Sequence, residues 1–264
     1  MGAVLPSQPI VQRLTDFIWI GTSPVLTDAR CLRVAAVLRA LKESLNALDN
    51  YYDALQYHPL TTPRPSEHPR FFPFPSSYNV ASETIKFRYL KPLDSSDPAC
   101  VTYLAQNIQD EQLIVVKFAQ TYGEQAHRLL AQQQMAPQLY YCGRVGEDAG
   151  YDNLKLVVME YVKGETAADR YHDQPLPTNV IEQLSAALDI LHSHNLVFGD
   201  LRKPNIMIRS DNVTQLVDFD WSGVHDQARY PVHLSRDVKW PEGVDSYRTL
   251  SKQHDRDMLT LLQY

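Results

Sequence analysis

Near the C-terminal end, three side chains have the types and spacing to move a phosphoryl group. Asp200 is followed five residues later by Asn205, and Asp218 then opens Asp218-Phe219-Asp220 between apolar neighbours. One carboxylate can accept a proton from an attacking hydroxyl. The amide oxygen and the later carboxylate can grip divalent cations that neutralise ATP phosphates. Asp and Asn are also ordinary turn residues. The order of the flanking elements favours the chemical reading, because a site of this kind needs its groups on one rim.

That rim can be traced. Asn179 to Ser193 carries Val180, Ile181, Leu184, Leu188 and Leu191 at helical spacing. Leu196-Val197 reads as a short strand, and the loop from Asp200 to Asn205 turns back. Met207-Ile208 continues as a strand, Ser210-Asp211-Asn212 has turn chemistry, and Thr214 to Asp218 pairs with it. The resulting hairpin sets Asp200 and Asn205 beside Asp218.

Upstream lie five strand-like runs: Thr84–Leu90, Cys100–Ala105, Gln112–Phe118, Tyr140–Cys142 and Leu154–Val162. A helix from Gly123 to Gln134 follows the third. The connection between the first two runs, Lys91 to Ala99, contains no glycine and carries Asp94 and Asp97. A glycine-rich turn would let backbone N–H groups approach phosphates, and these acids would repel them. Further upstream, Asp28 to Leu55 reads as one long helix with an apolar stripe through Val34, Leu38, Leu41, Leu45, Leu48 and Tyr52, expected to pack on the rest of the protein. Pro59 to Pro75 holds six prolines among Phe71, Phe72 and Phe74, which excludes regular helix and central strand and suggests an ordered strap.

The chain has 264 residues and a net charge of −6, with an ordinary apolar share. No basic cluster points to nucleic acid as a partner. The cysteines Cys31, Cys100 and Cys142 form no metal-binding spacing and suit a reduced compartment. No signal-like leader or membrane-length apolar run is seen, so an intracellular location, cytoplasmic or nuclear, without membrane contact is expected.

These stretches together resemble the protein-kinase-like superfamily, from about Ser82 to the C-terminus. They are most similar to the fungal-type kinase-like domains of mushroom-forming fungi. The resemblance rests on Val115-Val116-Lys117-Phe118, Tyr122-Gly123-Glu124, Ala126–Ala131, Val157–Val162, Gly199–Met207 and Val217–Trp221. Tyr230-Pro231 and Trp240–Val244 also fit. It implies an α+β, bilobal kinase-like fold with a helical N-terminal extension over 1–81, an N-lobe over 82–162 and a reduced C-lobe over 163–264.

The implied function is an ATP-dependent phosphotransferase using Mg²⁺ or Mn²⁺, with a hydroxyl acceptor on a protein or a small molecule. The implied alternative is a pseudokinase that binds or scaffolds. Lys117 resembles the lysine that pairs with ATP phosphates, and Glu124 the glutamate that orients it. Met159 resembles the gatekeeper residue, with Glu160, Tyr161 and Val162 as the hinge whose backbone takes adenine. Asp200 resembles the catalytic base and Arg202 the cation that meets the transferred phosphate. Asn205 and Asp218 resemble the metal-binding pair, with Asp220 as a further ligand. Phe198 stands where a scaffold His is usual, and Gly199 where regulated kinases carry Arg. Either Asp255 or Asp257 would brace the catalytic loop from below.

Overall fold

In the computed structural model of the chain, the described residues are 2–4, 9–11, 28–54, 75–81, 83–93, 102–144, 154–232, 234–235 and 237–264. The proline-rich strap before Pro75 and the connection carrying Asp94 and Asp97 therefore lie outside them. The chain divides into two compact units, Met1–Arg70 and Phe71–Tyr264.

The first unit contains two short antiparallel strands, β1 (Gly2–Val4) and β2 (Pro9–Val11), and a long helix, α1 (Asp28–Ala54). Arg39 Nε donates to Glu43 Oε1 one turn on, a pairing that supports an exposed helix modestly. Leu38, Leu45 and Leu48 of its apolar stripe are exposed.

The second unit opens with a six-stranded antiparallel sheet. Its strands are β3 (Ser77–Val80), β4 (Glu83–Pro92), β5 (Thr102–Asn107), β6 (Leu113–Ala119), β7 (Leu139–Arg144) and β8 (Lys155–Glu160). They are ordered β3-β4-β5-β6-β8-β7. Helix α2 (Glu124–Gln132) joins β6 to β7. The sequence reading had five strands; β3 is the addition, closed onto β4 by a turn in which Ala81 has φ +53°.

Strand alternation gives the sheet two different faces. Ile114, Val116 and Phe118 of β6 point into one cluster with Tyr78, Phe87, Tyr103 and Val158. Val115 and Ala119 point the other way, into the main core with Leu184, Leu188, Leu191, Phe198 and Phe219. Lys117 lies between Val115 and Ala119 in the alternation and so shares the helix-facing side.

The remaining chain mixes helices with short strands and loops. After β9 (Gly164–Thr166) come α3 (Ala167–Tyr171) and α4 (Thr178–Ser193), the latter burying Val180, Leu184, Ala187, Leu188 and Leu191. Then follow β10 (Leu196–Val197), a single 3₁₀ turn (Lys203–Asn205), β11 (Ile206–Arg209), β12 (Thr214–Leu216), β13 (Gly223–Val224) and α5 (Lys252–Leu261). β11 and β12 form the expected hairpin, turned at Asn212 with φ +62°. Strand β9 pairs on its outer edge. Among the described residues no helix is long and apolar enough to cross a membrane.

Candidate active site

Lys117 is the only charged side chain in the buried middle of β6. A buried ammonium needs counter-charges, and the segment just after the β11–β12 hairpin supplies two. Lys117 Nζ donates to Asp218 Oδ1 at 2.6 Å and lies 2.8 Å from Asp220 Oδ1. Burial alone would push its pKa down. Asp218 and Asp220 together outweigh that, and it lies above the ordinary lysine value.

Asp218 reaches this place through a left-handed backbone, φ +66°, which Asp tolerates better than most residues. Phe219 turns inward and is fully buried, while Asp220 points back to the lysine. Burial raises the Asp220 pKa to about 6, with Lys117 opposing and Asp218 adding to the rise.

The loop between β10 and β11 carries Asp200 and Asn205, both buried. Asn205 Nδ2 donates to Asp200 Oδ2 at 2.8 Å and to the Asp200 carbonyl at 2.9 Å. Arg202 grips the same carboxylate with both arms: Nε to Oδ1 at 2.5 Å and Nη2 to Oδ2 at 2.6 Å. Burial lifts the Asp200 pKa above the carboxylate norm although Arg202 opposes it; the Asp218 charge adds to the rise.

Asp255 of α5, almost fully buried, fixes the loop from below. It accepts from the Phe198 N–H at 2.9 Å, the Gly199 N–H at 2.8 Å and His192 Nε2 at 3.0 Å. Of the two acids proposed as the brace, Asp255 makes these contacts. Asp257 pairs with Gln253 on its own helix. Gly199 sits at φ +87°, and a Cβ there would lie 2.0 Å from Leu250 Cδ2. Phe198 is fully buried, edge-on to Phe219.

Glu124 is a correction. It accepts from Arg128 Nε at 2.9 Å on the exposed side of α2, and Lys117 pairs with the two aspartates instead. Glu124 stands in the first turn of a helix that starts only seven residues after Lys117, where the pull of the helix terminus suits it without any lysine.

The buried polar residue of α2 is His127, beside Ala126 and Leu130, and sequence spacing did not single it out. Its ring stacks on Phe219 at 4.5 Å and 5°, Nδ1 meets Tyr122 Oη at 2.6 Å, and Nε2 meets the Pro137 carbonyl at 2.8 Å. It falls three residues after Glu124 on an otherwise apolar face, the one signal that marks it.

Met159, next to last in β8, is buried in the main core, and Glu160 pairs by backbone and side chain with Gln138. Sheet pairing stops at Glu160, so the backbones of Tyr161 and Val162 are left out of it.

Two further aromatics were not anticipated as site residues. The Arg202 guanidinium carbon lies 5.9 Å from the Trp221 ring centre and 5.7 Å from that of Trp240.

These donors fit a hard divalent cation, which takes oxygen ligands and seldom more than one or two protein carboxylates when phosphates complete its shell. Asp220 sits beside Asp218 with its Oδ1 2.8 Å from Lys117 Nζ, so a cation there would share that carboxylate with the lysine. Asn205 has its amide nitrogen committed to Asp200, which leaves the amide oxygen. Among the described residues no group of three or more His, Cys, Asp or Glu could hold a metal by itself.

A buried strand lysine facing an Asp-Phe-Asp turn, beside a braced Asp–Asn loop, is the arrangement of one protein class. The protein kinase domain matches residues 100–255, more than half of the chain, and the chain belongs to that family. A probable serine/threonine-protein kinase, PknB, of Lactococcus lactis is 23% identical over 125 residues, 45% of this chain and 18% of that protein. The Aurora kinase of Saccharomyces cerevisiae is 36% identical over 73 residues, 27% of this chain and 20% of its own. The chain thus spans about a fifth of the length of these curated relatives. Among solved structures, the kinase PK-1 of Cydia pomonella granulovirus is similar with a TM-score of 0.52 at 18% identity, over 67% of each chain; at that identity the likeness is one of fold.

Proposed function

We propose that this protein is an ATP-dependent phosphotransferase with a hydroxyl acceptor, built on a bilobal kinase-like fold of fungal type. The cleft runs between the six-stranded sheet and the helical part of Phe71–Tyr264. In that reading residues 1–81 form an N-terminal extension, 82–162 an N-lobe and 163–264 a reduced C-lobe, in which α5 is the one described helix after Asp218. The observation that carries the reading is the meeting of Lys117 with Asp218 at 2.6 Å across 101 residues of chain.

Each residue then has a task. Lys117 offers its ammonium to phosphate oxygens once nucleotide draws it from the aspartates. Tyr161 and Val162 present free backbone groups to adenine behind Met159 and Glu160. Asn205 and Asp218, with Asp220 beside them, would hold Mg²⁺ or Mn²⁺, which when bound neutralises phosphate charge. Asp200 orients the acceptor hydroxyl and takes its proton, helped by a pKa already above the carboxylate norm. Arg202 supplies positive charge where charge develops on the phosphoryl oxygens. The acceptor is a protein or a small molecule, and neither nucleic acid nor membrane is required.

Two observations favour a second reading, a pseudokinase that binds and scaffolds. Arg202 occupies both oxygens of Asp200, and Glu124 does not hold Lys117. Both slow catalysis, and turnover below the ~1–100 s⁻¹ usual for kinases is expected. ATP consumption with Mg²⁺ and hydroxyl acceptors separates the two readings. The enzyme consumes ATP and loses that activity in Asp200→Asn. Nucleotide binding with no turnover in either protein leaves the scaffold.

A further inference from the structure

Arg202 and Asp200 hold each other in a way that catalysis must undo. The carboxylate accepts two bonds from the guanidinium and a third from Asn205 Nδ2. A carboxylate has about four lone-pair sites. With three of them taken, an acceptor hydroxyl has one site left on Asp200, and more opens only as Arg202 yields a bond. Releasing a half-buried guanidinium is costly unless something else keeps it stabilised.

The structure provides that second support. Trp221 and Trp240, both half-buried, each lie within 6 Å of the guanidinium carbon. The two indoles are 5.9 Å apart and share a cluster with buried Tyr230, 6.0 Å from Trp221 and 6.3 Å from Trp240. The cluster is anchored. Trp240 Nε1 donates to the Ser235 carbonyl at 2.9 Å, and the strand-like return is tied by Tyr230 N–H to the Arg248 carbonyl at 2.9 Å. Trp221 follows Asp220 directly, so one indole moves with the cation-binding turn and the other belongs to the return segment. A planar, delocalised guanidinium can turn over aromatic faces without losing its stacking, as an ammonium held by directed hydrogen bonds cannot.

We propose that Trp221 and Trp240 are positioning residues for Arg202: they hold its guanidinium on Asp200 in the free protein and keep it stacked as it turns toward the incoming phosphate. This rests on the phosphotransferase reading, and it adds an element that makes Asp200 available only once nucleotide is in place. The free protein is thereby kept from presenting a competent base to a wrong acceptor or to water.

The test uses the full chain carrying Trp19→Phe, so that of its three tryptophans only Trp221 and Trp240 report. Emission is followed as Mg²⁺-ATP is added, with calorimetry of the same titration in parallel. The expected result is a saturating emission change with the calorimetric midpoint, lost in Arg202→Ala while calorimetry still records binding. In the turnover assay Trp240→Ala lowers kcat about threefold to thirtyfold with KM for ATP unchanged within about twofold, and Trp240→Phe restores most of it.

Flat emission despite calorimetric binding overturns the proposal and leaves the phosphotransferase reading standing. So does a response that persists in Arg202→Ala, or a Trp240→Ala effect confined to KM. Absence of calorimetric binding overturns both. If Trp240→Ala does not fold, the emission response and its loss in Arg202→Ala decide the matter alone.

Discussion

Gly199 shows how much one residue type can carry. Its φ of +87° lies where a side chain is strained, and Leu250 already occupies the space of a Cβ. Substitution to Ala is expected to cost about 2–4 kcal/mol, from backbone strain and overpacking together. Urea unfolding measures it, and a loss under ~1 kcal/mol would contradict the assignment. Asp220 makes a different statement. Its carboxyl is raised to about 6, so the folded protein binds a proton there that the unfolded chain has released by about pH 4. The folded state holds more protons in that window, so this group's contribution to stability falls as pH rises from about 4 to 6. A cation competes with that proton. Mg²⁺-dependent nucleotide affinity is expected to weaken as pH drops through about 6, more steeply than in Asp220→Asn. Equal slopes by calorimetry at pH 5 and 7 would remove Asp220 from the cation site.

At the scale of elements, α2 is tied to the cation-binding turn through His127, whose ring lies flat on Phe219. Burial pushes the His127 pKa down to about 4, despite the Pro137 carbonyl. The folded state then carries fewer protons there than the unfolded chain between pH 6.5 and 4. The stability it contributes is complete above pH 6.5 and is lost as pH falls to about 4, to the extent of about 3 kcal/mol. Melting curves of wild type and His127→Phe across this range check it: wild type is expected to lose the larger amount, and parallel losses would refute the assignment. The elements also show what the sequence could disclose. The Asp200–Asn205 loop, the β11–β12 hairpin and α4 were legible because local spacing and turn chemistry dictate them. β3 was not, since four residues beside a proline-rich stretch carry too little alternation to mark a strand. The true partners of Lys117 were half legible. Asp218 and Asp220 stood out as candidate cation ligands, but the pairing of Asp218 with Lys117 across 101 residues of chain is fixed by tertiary packing, not by spacing. Glu124 was misjudged for the same reason: a helix-start glutamate looks alike whether it faces a lysine or its own Arg128.

At the scale of the molecule, a sheet with a buried lysine, Lys117, on its inner face closes on a part that carries Asp200, Asp218, Asp220 and Asn205. The central claim is that this cleft binds nucleotide through a divalent cation held by Asn205 and Asp218. Ligand that binds only the folded state stabilises it by about 2.7 kcal/mol at a hundredfold excess over Kd. For a unit of this size that is a rise of about 5–10 °C in melting temperature. The most direct measurement is therefore thermal unfolding with ATP, with and without Mg²⁺ or Mn²⁺, for wild type and Asp218→Ala. The account predicts a cation-dependent rise of that order in wild type and its loss in Asp218→Ala. An equal rise in both proteins, or none in either, would contradict it.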